Sequence, residues 1–145
     1  MLSKLIENFN EQKKEFQTKI KKAFKEELKT LVFPDKIKSI EWTQYTPYFN
    51  DGDNCEFSVN SDYLSINGDR EDDVDFISKT NYEKVNGQYM EVPNPNYDKE
   101  CADFVNRFSN IIGQMPNEVM LNMFGDHVSV TYSDGKFTVS DCSHD

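Results

Sequence analysis

A chain of 145 residues with a net charge of −10 has room for one domain around a single core, and it repels nucleic acid and anionic lipid instead of binding them nonspecifically. Hydrophobic residues make up 37% and aromatic rings 13%, so the core is expected to rest on Phe and Tyr, each burying a large apolar area. Three cysteines (Cys55, Cys101, Cys142) with no CxxC pair, no signal-peptide pattern and no apolar run of spanning length point to reduced thiols, a cytoplasmic location and no membrane association.

The charge is unevenly placed. Residues 1–40 hold ten Lys and six acids, whereas the remainder holds six basic and twenty acidic residues. A basic helix beside an acidic body is the simplest reading, and the two are expected to attract. From Leu2 to Val32 apolar residues recur at Leu2, Leu5, Ile6, Phe9, Phe16, Ile20, Ala23, Phe24, Leu28 and Leu31, steps of three and four that predict one helical stripe. Ser3 is the expected N-cap, and Pro34 stops the helix near residue 33. The stripe thins at Gln12–Lys13, which predicts frayed first turns or a separate short helix. The lysines after Lys13 suit a solvated face better than a DNA-binding one.

After Pro34 the period becomes two. Ile40, Trp42 and Gln44 alternate with Glu41 and Thr43, which predicts a strand covered on one face and ending before Pro47. Asn50-Asp51-Gly52-Asp53-Asn54 is turn chemistry with Gly52 at positive φ. Cys55 to Val59 reads as a returning antiparallel strand, and Tyr63 to Ile66 as a third, making a central meander. Residues 67–96 read as a long acidic, partly irregular loop with scattered rings.

A second helix is expected from Tyr97 to about Gln114, with Cys101, Phe104, Val105, Phe108, Ile111, Ile112 and Met115 on one face. A third, short helix should open with Pro116 at its first position and close at Gly125. Asp134-Gly135 between two alternating runs predicts a C-terminal hairpin. The expected fold is a single α+β domain over 1–145. A long N-terminal helix (1–33) and two further helices pack on one face of an antiparallel sheet made of the central meander and the C-terminal hairpin.

Chemistry could sit in several places. Asp51 and Asp53, with Glu56 or Glu41 nearby, could offer oxygens to Mg²⁺, Mn²⁺ or Ca²⁺, although Cys55 interrupts any EF-hand spacing and self-capping of the turn is the favoured reading. The acidic run Asn67 to Asp75 could bind Ca²⁺ loosely or imitate a phosphate backbone, but it reads first as a solvated loop. A zinc site from Cys55, Cys101, Cys142 and His127 would need all four to converge, and Cys142-Ser143-His144 reads as a frayed tail. No catalytic constellation is complete, and no cofactor is implied. Trp42 is expected to fill the core, whereas Tyr45 and Tyr48 are balanced between core and recognition surface.

The run Trp-Thr-Gln-Tyr-Thr-Pro-Tyr-Phe-Asn-Asp-Gly-Asp-x-Cys-x-Phe, Trp42 to Phe57, resembles a recurrent segment in small uncharacterised proteins of large tailed bacteriophages, and Met123 to Val130 is similar to how such proteins continue. The resemblance implies a phage protein acting in the host cytoplasm, and it carries over no reaction and no site residues. The expected function is a non-enzymatic module that binds a host or phage protein, with Tyr45, Tyr48, Asp51 and Asp53 as its binding residues. The alternatives are a metal-dependent hydrolase or phosphate-handling enzyme using Asp51 and Asp53, and an acidic nucleic-acid mimic.

Overall fold

A computed structural model describes residues 1–48, 52 and 54–144. Helix α1 (Leu2–Thr30) leads to strand β1 (Ile40–Tyr45), followed by β2 (Ser58–Val59), β3 (Ser65–Ile66) and β4 (Asp69–Arg70). A 3-10 turn at Glu71–Asp73 precedes β5 (Thr80–Val85) and β6 (Gln88–Pro93). Helices α2 (Lys99–Gln114) and α3 (Asn117–Phe124) come next, and β7 (Val128–Ser133) and β8 (Lys136–Asp141) close the chain. The expected α+β class, with a long N-terminal helix, antiparallel pairing and a C-terminal hairpin, describes this molecule.

The main sheet runs β4-β3-β1-β7-β8, with β2 also on β1, and every pairing is antiparallel. Strand β1 is central, and its alternation shows it: Ile40, Trp42 and Gln44 are buried between half-exposed neighbours. Val128, Val130 and Tyr132 match them on β7, in register with Gln44, Trp42 and Ile40. The helices supply the other wall. Trp42 meets Phe108 of α2 and Phe124 of α3 at ring-centroid distances of 6.1 and 5.6 Å, and Phe137 of β8 packs edge-on at 6.4 Å. The opposite sheet face, with Glu41, Thr43, Ser129 and Thr131, is polar and partly solvated, as antiparallel sheets allow.

The sheet departs from a simple meander. Strand β2 pairs with the Gln44–Tyr45 end of β1 and β3 with the Ile40–Glu41 end, so both return to β1 itself. Pairing on the second run is confined to Ser58–Val59, with Cys55 and Glu56 exposed ahead of it.

One buried side chain ties this assembly together. Gln44 is fully buried; its Oε1 accepts from Trp42 Nε1 at 3.1 Å, and its Nε2 donates to the carbonyls of Met120 and Gly125 at 3.0 and 2.8 Å. The amide thus satisfies the indole and joins β1 to the C-terminal half of α3 and to Gly125, whose carbonyl lies beyond the helical bonding pattern.

Helix α1 corrects three expectations. It is continuous from Leu2, without a break at Gln12–Lys13, because Lys, Glu and Gln are good helix formers and no Gly or Pro intervenes. Met1 holds the N-cap position with no side-chain cap bond, and Ser3 lies inside the first turn. Most consequentially, its apolar stripe is not a core stripe throughout. Only Phe24 and Leu28 are buried within α1, while every residue from Met1 to Phe16 is exposed. The expected attraction between the basic segment and the acidic body is seen in Lys13–Glu118 (3.0 Å) and Lys36–Asp98 (3.1 Å), and Lys21 Nζ also donates to Asn122.

Residues 67–96 are not irregular throughout. Asn67-Gly68 turns β3 into β4, and Asn86-Gly87 turns β5 into β6. In both, φ is positive at both residues, as a two-residue hairpin turn requires. The β5–β6 arm is a separate two-stranded sheet, exposed along most of its length. An isolated hairpin is marginal in water, so its root must be held. Asn94 does this: buried, it donates to the carbonyls of Asp75 and Ser78 at 2.7 and 2.8 Å and accepts from Asn96 N and Asn81 Nδ2 at 3.0 and 3.2 Å. Asn94→Ala is expected to raise amide hydrogen exchange across Thr80–Val85 at least about tenfold, for a local loss of about 1–3 kcal/mol. Exchange in α2 should stay unchanged; equal loosening of both would show that the arm is not independently rooted.

Helix α2 begins at Lys99, with Asp98 as its N-cap accepting from Cys101 N at 3.2 Å. In α3, Pro116 occupies the N-cap position one residue before the expected one, and Gly125 follows the last turn at φ 98°. Among the described residues, no helix is long and apolar enough to cross a membrane.

Candidate functional site

Of the four expected binding residues, Tyr45 and Tyr48 come together; Asp51 and Asp53, with Phe49 and Asn50, lie outside the described residues. Gly52 has the expected positive φ of 80°. Glu56 is exposed, and Glu41 accepts a cross-strand hydrogen bond from Thr131 Oγ1 at 3.1 Å. Among the described residues, no three His, Cys, Asp or Glu side chains are grouped to hold a metal. Cys101 is buried in α2, Cys55 exposed and Cys142 half-buried. Burial, followed by the neighbouring Asp98 charge, pushes the Cys101 thiol up to about 11, the opposite of an activated nucleophile.

The tail does not fray at His144. Its ring stacks on Tyr45 at 3.8 Å and on Tyr48 at 4.3 Å, and His144 Nε2 lies 2.6 Å from His127 Nδ1. The two imidazoles are nearly coplanar (8°) with centroids 4.8 Å apart, the geometry of rings bonded edge to edge. Tyr48 also stacks on His127 at 5.0 Å. One nitrogen on each ring is therefore used by the other, and the aromatic plates brace residues 142–144 against the end of β1. Sequence reasoning missed this because His127 and His144 are 17 positions apart; only the β7–β8 hairpin, with Cys142 N donating to His127 O at 2.8 Å, brings them level.

Asp126 sets the base of the cluster. Its Oδ1 accepts from Thr46 N and His127 N, both at 2.8 Å, and its Oδ2 accepts from Thr46 Oγ1 at 2.7 Å. Partial burial alone would raise this carboxyl, but the hydrogen bonds from Thr46 and His127 outweigh it and hold it below the ordinary carboxylate range. Asp98 is lowered too, first by the Cys101 amide and then by Lys36. Depressed carboxylates contribute stability that is present above their unfolded pKa and lost as pH falls through the folded value. Stability should therefore drop as pH falls below about 4, and Asp126→Asn should flatten that acid limb in urea melts taken from about pH 3 to 6. An unaltered limb would remove Asp126 from the acid response.

Two grooves meet at Glu71 and Asp72, and one of them reaches Tyr45. The first, about 480 Å³, is lined by Thr43, Tyr45, Asn60, Tyr63, Ser65 and Arg70 and ends at Glu71 and Asp72. The second, about 500 Å³, starts at the same Glu71 and Asp72 and runs past Asn81, Asn94 and Asn106 to Tyr82 on the arm. Tyr63 and Tyr82 are 77% and 72% exposed, so their faces are open to a partner. Burial, and then the Asp72 charge, raise the Glu71 carboxyl above its ordinary value. An incoming cation would relieve that pair. The signal for this surface lay in the acidic run and the isolated rings of residues 67–96, but their convergence depends on the hairpin root. No family model, no curated protein and no solved structure matches the chain.

Proposed function

We propose that the chain is a non-enzymatic protein-binding module, an accessory phage protein acting in the host cytoplasm, whose recognition surface is the pair of grooves joined at Glu71 and Asp72. The phage context rests on the likeness of Trp42 to Phe57 to phage segments. The observation that carries the binding reading is the line of exposed tyrosines over amide- and hydroxyl-lined grooves. Tyr is enriched at interface centres because it offers a rigid apolar face and a polar tip. Ser65 and Asn106 along the grooves can both donate to and accept from an extended backbone, while Asn94 holds the arm in place. The carboxylates where the grooves meet select a partner segment bearing Lys or Arg.

Paired affinity baits, wild type and Tyr63→Ala/Tyr82→Ala, test this. A partner retained by the wild type, weakened at least about tenfold by the double substitution and released by salt is expected. Partners recovered equally by both baits, or retention indifferent to salt, would overturn the reading.

A further inference from the structure

Helix α1 carries an apolar stripe that the body does not cover: Leu2 is 71% exposed, Leu5 61%, Ile6 51%, Phe9 65% and Phe16 62%. We propose that it is covered by the same stripe of a second copy, with the two α1 helices antiparallel and the two-fold axis at Phe9.

The spacing of the stripe is self-complementary. Leu2, Phe9 and Phe16 are seven residues apart, so a two-fold axis at Phe9 sets Leu2 of each copy against Phe16 of the other. The same operation lays the apolar-rich turn, Leu5 and Ile6, over the thin turn, Gln12 and Lys13. Lys13 is already paired with Glu118, which holds its charge aside and leaves its methylene stem as apolar cover. The seam is bordered by Asn8, Asn10, Gln12 and Gln17, with Lys19 over the Phe16 ring at its far end, 5.5 Å from the centroid. Such amides donate and accept at once, so identical rims meet without like-charge repulsion.

Those five residues expose roughly 650 Å² per copy, so full coverage of both stripes would bury about 1,300 Å², the lower end of the range of specific interfaces. An open apolar groove of about 420 Å³ between Phe16, Ile20 and Val119 lies where the register delivers the partner's N-terminal turn. This contact shares no residue with the tyrosine-flanked grooves, so it stands or falls separately from the proposed binding function.

The 145-residue chain should sediment as a dimer at micromolar concentration, and Phe9→Glu should weaken association at least about thirtyfold while leaving the far-UV circular dichroism unchanged. In a Cys55→Ser/Cys142→Ser background, Phe9→Cys should oxidise to a cross-linked dimer and Leu2→Cys should not. Monomer at every concentration, equal cross-linking through Leu2→Cys (parallel helices), or dimerisation that survives Phe9→Glu would overturn the proposal. So would recovery of the stripe on phosphatidylserine vesicles by a wild type that stays monomeric in solution.

Discussion

Gln44→Leu is expected to lower the free energy of unfolding by about 2–4 kcal/mol. The substitution fills similar space with carbon but removes every partner the amide supplies. The Trp42 indole N–H and the carbonyls of Met120 and Gly125 would be left facing an apolar side chain. Each unsatisfied buried group costs about 1–3 kcal/mol, partly offset by the gain from burying leucine. The damage should also spread toward the site, since Gly125 leads directly into Asp126 and its hydrogen bonds to Thr46. Urea melts read the loss, and quenching or shift of Trp42 fluorescence reads the local change. A denaturation midpoint within error of the wild type would mean that the amide is not the joint between β1 and α3.

Leu28→Ala should cost about 3 kcal/mol, whereas Leu5→Ala in dilute protein should change stability by less than about 0.5 kcal/mol. Both are leucines in the same helix, so propensity and chemistry cancel in the comparison. Leu28 is fully buried in the cluster with Phe24, Ile37 and Trp42, and its removal leaves a cavity; Leu5 is exposed and leaves none. Thermal melts at low concentration measure both. Similar losses would show that the first turns of α1 pack on their own body. If the helices pair as proposed, the Leu5→Ala penalty appears only as concentration rises, because binding to the folded state then adds to stability.

The contrast shows what a periodic pattern can and cannot say. Steps of three and four correctly predict helix through both Leu5 and Leu28, but the apolar stripe continues past the end of the surface it covers. Nothing local marks that limit; it depends on where α3 ends against α1. Residues 67–96 show the reverse case. Asn86-Gly87 carries the same turn chemistry as Asp134-Gly135, yet the flanking strands are exposed on both faces, with apolar and polar residues mixed on each. In sequence this hairpin passes unseen and 67–96 reads as a loop, because no core face selects the residues of its strands.

The candidate site divides the same way. Trp42 as core, Gly52 at positive φ and the tyrosines at the end of β1 follow from pattern and turn chemistry. The pairing of His127 with His144 does not, nor does the meeting of Tyr45, Glu71 and Tyr82 along two grooves, since each joins residues distant in the chain.

What the amino-acid order determined alone is local: α1 from its 3.6-residue period, β1 from its alternation, the apolar face of α2 from its spacing, the close of α3 from Gly125, and the last hairpin from Asp134-Gly135. These depend on backbone conformation and on the spacing of neighbours. The tertiary structure alone decided which half of α1 is buried, which amide joins β1 to α3, and where the imidazoles and the acidic run come to rest. Those outcomes are set by packing between elements and by hydrogen bonds across long separations, which no window of adjacent residues contains.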